Sequence, residues 1–180
     1  MSDIKVLVLV GSLRAASLNR QLAELAGEVA ADGVALQQFD RLGELPFYNE
    51  DIDNDDVAEP VRALRAAAAE ADAALVVTPE YNGSIPGVLK NAIDWLSRPF
   101  GDGALKGKPL AVIGTAHGQY GGVWAHDETR KSFGIAGPRV VEELKLSLPA
   151  KVFDGNHPRD NAEVAAAVGE VVGKLAAEVG

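Results

Sequence analysis

Residues 4–10, Ile-Lys-Val-Leu-Val-Leu-Val, form a β-branched, almost wholly apolar run that stops at Gly11. A run without polar alternation is what a strand covered on both faces of a parallel sheet requires. Leu18, Leu22, Leu25 and Val29 then recur at helical spacing. Apolar runs at 34–39, 73–78, 110–115 and 140–146 predict four more strands. Val57, Val61, Leu64 and Ala68 mark a second helix, whose start has Asp56 and Glu59 at capping-box spacing and Pro60 in the first turn. Leu89, Ala92, Ile93 and Leu96 mark a third helix that begins near Ser84. Residues 124–133 predict a fourth. Val164, Val168, Val171, Val172, Leu175 and Val179 predict a terminal one. The polar stretch 41–56 reads as a long loop.

Strands and helices alternate with no linker or composition break, so residues 1–180 read as a single domain. Alternation at this spacing means βαβ units and a parallel sheet with helices on both faces. For five strands the expected α/β architecture is doubly wound, in the order 2-1-3-4-5. Ligands in such sheets bind beyond the carboxyl ends of the strands. The segments after Val10, Thr78 and Thr115 are therefore the candidate site.

Charge narrows the ligand. The 180 residues carry 17 Lys plus Arg against 26 Asp plus Glu, a net charge of −9. That balance disfavours nucleic acid and anionic lipid as partners. A phosphate-bearing ligand must be held by a local device against the overall field. The absence of cysteine excludes disulfides, thiolate catalysis and Cys-ligated metal centres. The N-terminus has no basic region, and its apolar run is too short for a signal or a membrane span, so a cytoplasmic protein without membrane attachment is expected.

Three loops carry candidate chemistry. The first, residues 11–20, offers Ser12, Arg14, Ser17 and Asn19 where a helix opens, and contains no acid. Helix N-termini present unpaired N–H groups, and Arg supplies a planar fork for phosphate. It has neither the dinucleotide spacing G-x-G-x-x-G nor the Walker G-K-[ST]. The same residues also suit a Ser-capped helix with a surface Arg. The second loop contains Pro79, Glu80, Tyr81, Asn82, Gly83 and Ser84. Its Asn-Gly pair marks a tight turn, and a stiff loop with free amides suits a flat heteroaromatic ligand. The third, residues 114–122, has four glycines around His117. His117 is placed either to donate to a ligand or to serve structure alone.

The pattern Gly11-Ser12-Leu13-Arg14-x-x-Ser17-x-Asn19, followed by Pro79-Glu80-Tyr81-Asn82-Gly83-Ser84-Ile85-Pro86-Gly87-x-Leu89-Lys90-Asn91-Ala92-Ile93-Asp94-Trp95, resembles the NADPH-dependent FMN reductase family. The family is flavodoxin-like and includes bacterial quinone, chromate and azo-dye reductases. The resemblance runs from about residue 4 to 146. It implies non-covalent FMN, with Ser12, Arg14, Ser17 and Asn19 at the phosphate. It places residues 79–84 at the isoalloxazine, and the 114–122 loop with His117 along its far side. It further implies NADPH or NADH as donor, a small-molecule electron acceptor, ping-pong kinetics, and a homodimer or homotetramer with the 89–96 helix near the interface. Gln119, Tyr120 and Trp124 stand where they would tune substrate access. No catalytic side chain is assigned.

Other residues leave choices open. Phe47 and Tyr48 either cover a site or pin their loop, and Trp95 is either interface or core. Asp51, Asp53, Asp55 and Asp56 lack the Gly and Glu of a calcium loop and read as solvated. His126 and His157 sit near acids without a metal motif. Ser12 is outside a nucleophile elbow, which disfavours a hydrolase. A flavodoxin-type electron carrier with FMN and no NAD(P)H turnover is the principal alternative.

Overall fold

The structure is a computed structural model that describes residues 3–180. Its strands are β1 (Ile4–Val10), β2 (Val34–Gln38), β3 (Ala73–Val77), β4 (Pro109–Ala116) and β5 (Arg139–Pro149). They form one parallel sheet in the order β2-β1-β3-β4-β5. The helices are α1 (Leu18–Glu28), α2 (Glu59–Glu70), α3 (Gly87–Leu96), α4 (Val123–Ala136) and α5 (Ala162–Ala177). The predicted architecture and strand order are the observed ones.

The continuous apolar runs divide by side-chain parity, as strand geometry demands. Val6, Val8 and Val10 pack with Leu22 and Leu25 of α1 and Val168 and Leu175 of α5. Leu7 and Leu9 point the other way, onto Leu64 of α2, Leu89 and Trp95 of α3 and Phe133 of α4. Each buried aliphatic side chain contributes about 1.5–3 kcal/mol, so both helical layers are held by the sheet itself.

Several local expectations are corrected. Helix α2 begins at Glu59 with Ala58 as an uncapped N-cap. The expected capping box is absent because Glu59 accepts from Arg41 instead, at 2.5 and 3.1 Å. Helix α3 begins at Gly87 rather than near Ser84, because Ser84 pairs with Tyr81 across a tight turn. Strand β5 extends beyond 146, and its register against β4 jumps from Leu110–Val140 to Val112–Lys145. The inserted residues bulge, and the new register sets Ser147 beside Gly114. Asp53 is not solvated: it takes a two-pronged ion pair from Arg65 at 2.9 and 3.0 Å.

Trp95 belongs to the core. It is fully buried, its Nε1–H donates to Pro46 O at 2.8 Å, and its ring meets Tyr48 edge-on at 5.0 Å. Asn91 Oδ1 accepts from the Tyr48 N–H at 2.8 Å. Tyr48 therefore pins the long loop to α3, while its neighbour Phe47 remains 86% exposed. Trp95→Ala should lower unfolding free energy by about 3–5 kcal/mol, whereas Phe47→Ala should change it by no more than about 0.5 kcal/mol. Urea unfolding of the two variants measures the contrast, and equal losses would contradict this packing.

Candidate functional site

The first loop is built around close backbone approach. Gly11 N–H donates to Val77 O at 2.9 Å, and a Cβ at Gly11 would lie 2.2 Å from Thr78 Oγ1. Only glycine fits there. Ser17 is the N-cap of α1, its hydroxyl accepting from the Arg20 N–H. Ser12 is buried and its Oγ accepts from the Arg14 N–H. The cap does not use up the first turn, because the Leu18 and Asn19 N–H groups make no hydrogen bond to another described residue. Arg14 is exposed and makes no ion pair among the described residues.

Between the first and third loops the sheet opens. Strands β3 and β4 are paired as far as Thr78 N–H to Ile113 O, at 3.0 Å. A parallel ladder would continue with Thr115 N–H to Thr78 O and Glu80 N–H to Thr115 O. Neither bond forms. Asn19 Oδ1 accepts from Thr115 N–H and its Nδ2 donates to Thr115 O, both at 2.9 Å. One side-chain amide from α1 thus takes the place of a strand peptide. Thr78 O is met instead by His126 Nε2 at 2.8 Å. A carbonyl only accepts, so Nε2 carries the proton and Nδ1 accepts from Ser147 Oγ–H at 2.6 Å. The three groups crowd Gly114: a Cβ there would lie 2.0 Å from Thr78 O, 2.6 Å from His126 Nε2 and 3.0 Å from Asn19 Oδ1.

The parted ladder frees the second loop. Asn82 and Gly83 adopt left-handed conformations, φ +52° and +72°, in the turn closed by Tyr81 and Ser84. Glu80 Oε2 accepts from Ala125 N–H at 3.1 Å, capping α4 from outside. Ser84 Oγ donates to Glu128 at 2.5 Å. Both side chains tie the loop to α4. The Glu80 N–H is left with no hydrogen bond to another described residue. The third loop reaches α4 through Gly121 and Gly122, both with positive φ. A Cβ on Gly121 would lie 2.6 Å from Leu148 C, so the close passage of β5 also requires glycine.

These loops enclose one cleft of about 310 Å³. Ser12, Arg14, Ser17, Asn19, Pro79, Glu80, Tyr81 and His117 line it, together with Thr115. Asn82, Gly83 and Ser84 do not line it: they form the hairpin tip, which leans toward Trp124. His117 is exposed at the rim. The sequence places Gly114 and Thr115 in the third loop but does not reveal their roles, nor that of His126. Their function lies in contacts 12 to 96 residues away in the chain, which no local motif records.

Comparison with known proteins bears on the family and the fold. The NADPH-dependent FMN reductase family matches residues 4–152. The chain belongs to that family. A 2-hydroxy-1,4-benzoquinone reductase from a Burkholderia species is 46% identical over 127 residues, 71% of this chain and 68% of that protein. An NAD(P)H-dependent FMN reductase of Pseudomonas aeruginosa is 38% identical over 154 residues, 84% and 82% of the two chains. The solved structure of a flavoenzyme NAD(P)H:(acceptor) oxidoreductase from Paracoccus denitrificans superposes with a TM-score of 0.86 and 33% identity, covering 98% of this chain and 97% of that one. A flavodoxin from P. aeruginosa, at 23% identity and a TM-score of 0.62, shares the fold.

The residues present suit the family's cofactor, FMN. One end of the cleft has an unpaired Arg, two serines and open helix amides, a donor set for phosphate. The other has glycine-bounded backbone and the free Glu80 N–H. Thr115 Oγ1, buried and without a partner among the described residues, is one more unmet polar atom on the same wall. Among the described residues no group of His, Asp and Glu could hold a metal ion, and no helix is long and apolar enough to cross a membrane.

Burial holds the His126 pKa below the ordinary 6.5, against the opposing pull of the Thr78 carbonyl. Between that depressed value and 6.5 the unfolded chain binds a proton that the folded chain refuses. His126 therefore contributes stability that is present above 6.5 and is lost as pH falls through this window. Flavin-free wild-type protein should lose more unfolding free energy between pH 7 and 5 than His126→Gln, as measured by urea unfolding at each pH. Parallel losses would contradict the assignment.

Proposed function

We propose that this chain is an FMN-dependent NAD(P)H oxidoreductase that reduces a small flat acceptor, with quinones as the favoured class. The observation that carries the reading is the convergence of three donor-bearing loops on one cleft in a chain of net charge −9. The one acid on its wall, Glu80, has its carboxylate engaged by α4. The names of the relatives, a 2-hydroxy-1,4-benzoquinone reductase and quinone reductases, support the acceptor class.

In this reading Arg14, Ser12, Ser17 and the first-turn amides of α1 bind the phosphate, and Asn19 holds the loop in place through Thr115. The backbone of residues 79–81 meets the ring system. When bound, FMN supplies the hydride-transfer chemistry. His117 and the amides of its loop offer donors to negative charge that develops at the ring edge. Tyr81, Asn82, Gly83 and Ser84 shape the rim, and donor and acceptor use the same opening in turn, which gives ping-pong kinetics. Chromate, azo compounds and free flavin are further acceptors of the right kind. NADPH and NADH both remain candidate donors.

The single-domain chain is proposed to act in the cytoplasm as a homodimer or homotetramer. The groove of about 270 Å³ between α3 and α4, with Phe100 and Ile135 exposed beside it, supports that assembly face. The electron-carrier alternative is not favoured, since two of the relatives reported above, the P. aeruginosa FMN reductase and the P. denitrificans flavoenzyme, carry NAD(P)H in their names.

The test is anaerobic addition of NADPH to the FMN-loaded protein. The flavin bands should bleach and should return when a benzoquinone is added. Arg14→Ala should keep the fold and weaken FMN binding about 10- to 100-fold, the loss of one charge-assisted contact. Bands that persist with NADPH would indicate an electron carrier, and unchanged FMN affinity would remove Arg14 from the phosphate site.

A further inference from the structure

His126 is fully buried, has both ring nitrogens hydrogen-bonded, and lies outside the cleft. A histidine needed only to fill space would be a poor choice there, since its polar atoms must all be matched. Two glycines make way for it: a Cβ at Gly114 or Gly122 would lie 2.6 or 3.1 Å from Nε2. Its hydroxyl partner, Ser147, is brought within reach by the β5 bulge. Four separate features of the chain therefore serve one imidazole.

What that imidazole holds is the Thr78 carbonyl, the first beyond β3 and the one that leads into the ring-binding loop. The peptide that begins with this carbonyl continues through Pro79 to Glu80, and the Glu80 N–H has no strand partner. Thr78 Oγ1 donates to Pro79 O at 3.0 Å, so the two peptides turn together. We propose that His126 is a positioning residue for the flavin ring: by replacing the lost ladder bond at Thr78 O, it fixes the direction of the 78–80 backbone that receives the ring. The proposal rests on the FMN reading above and adds to it a residue that never touches the cofactor.

The same geometry makes ring binding dependent on proton activity. Only the neutral imidazole accepts the Ser147 O–H at Nδ1 while it donates at Nε2. The charged groups that face it are Arg130 and Asp127 of α4 and Glu80 of the ring-binding loop, while β4 and β5 present the uncharged Gly114 and Ser147. Arg130 and burial oppose a second proton. Once protonated, His126 still donates from Nε2, but Nδ1 must turn from accepting to donating at Ser147 Oγ, and a new buried charge acts on the Glu80 carboxylate that ties the loop to α4.

Riboflavin is the probe, because it lacks the phosphate whose own ionisation near pH 6 would confuse a pH series. Quenching of flavin fluorescence gives its dissociation constant for wild type, His126→Gln and His126→Leu from pH 8 to 5, with FMN measured at pH 8 alongside. Gln can still donate to Thr78 O, and Leu cannot. At pH 8, His126→Leu should bind both flavins about 10-fold more weakly, while His126→Gln stays within about threefold of wild type. Below pH 6.5 the wild-type riboflavin affinity should fall, and that of His126→Gln should remain level. If His126→Leu does not fold, the divergence of the wild-type and Gln pH profiles decides the matter. Equal affinities at pH 8 for all folded variants, or parallel pH profiles for wild type and Gln, would overturn the positioning role. Failure of wild type to bind either flavin would instead overturn the FMN reading beneath it.

Discussion

A sheet that parts to admit a ligand leaves backbone polar groups without strand partners, and a buried one that stays unpaired costs roughly 1–3 kcal/mol. That constraint organises this molecule. Where β3 and β4 separate beyond Ile113, the side chains of Asn19 and His126 take over the bonds the ladder gives up. Gly114 is small because both side chains and the Thr78 carbonyl converge on it. The cleft is open because these substitutions allow it to be, and the freed Glu80 amide is a product of the same separation.

The rest of the site follows from keeping acids away from that opening. The chain is acidic overall, yet Glu80 is turned to the α4 N-terminus and Glu128 to Ser84. Arg14, at the wall of the cleft, has no ion-pair partner among the described residues. Most ion pairs lie elsewhere, on exposed surfaces where each is worth little. Asp53–Arg65 is more protected and, with Trp95 and Tyr48, anchors the long loop on the opposite face of the sheet. Stability and binding therefore draw on different residues, which is why Trp95 and Arg14 can be varied separately.

Much of this was legible in the chain itself. The bounds of β1 were readable to the residue because an unbroken β-branched run admits one interpretation, and parity then assigns both layers. The loops after Val10, Thr78 and Thr115 were identified because strand ends in a doubly wound sheet point to one edge. Local signals misled where a distant partner intervened. Glu59 has capping-box spacing, but Arg41 claims its carboxylate. Asn19 lines the cleft, yet its pairing with Thr115, 96 residues away, has no local sign. His126 drew notice only as a weak metal candidate, since nothing within ten residues reveals Thr78 or Ser147. The bulge that brings Ser147 into place has no local signature either.

In the proposed function, three loops held apart by the split ladder form one FMN cleft. Hydrogen–deuterium exchange of the flavin-free protein, with and without FMN, measures this directly. FMN should slow exchange of backbone amides at 12–19, 80–81 and 116–118 together, and leave the α3–α4 groove at 93–100 and 132–136 unchanged. Protection missing from any of the three loops, or concentrated in the groove, would show that they do not form one FMN cleft.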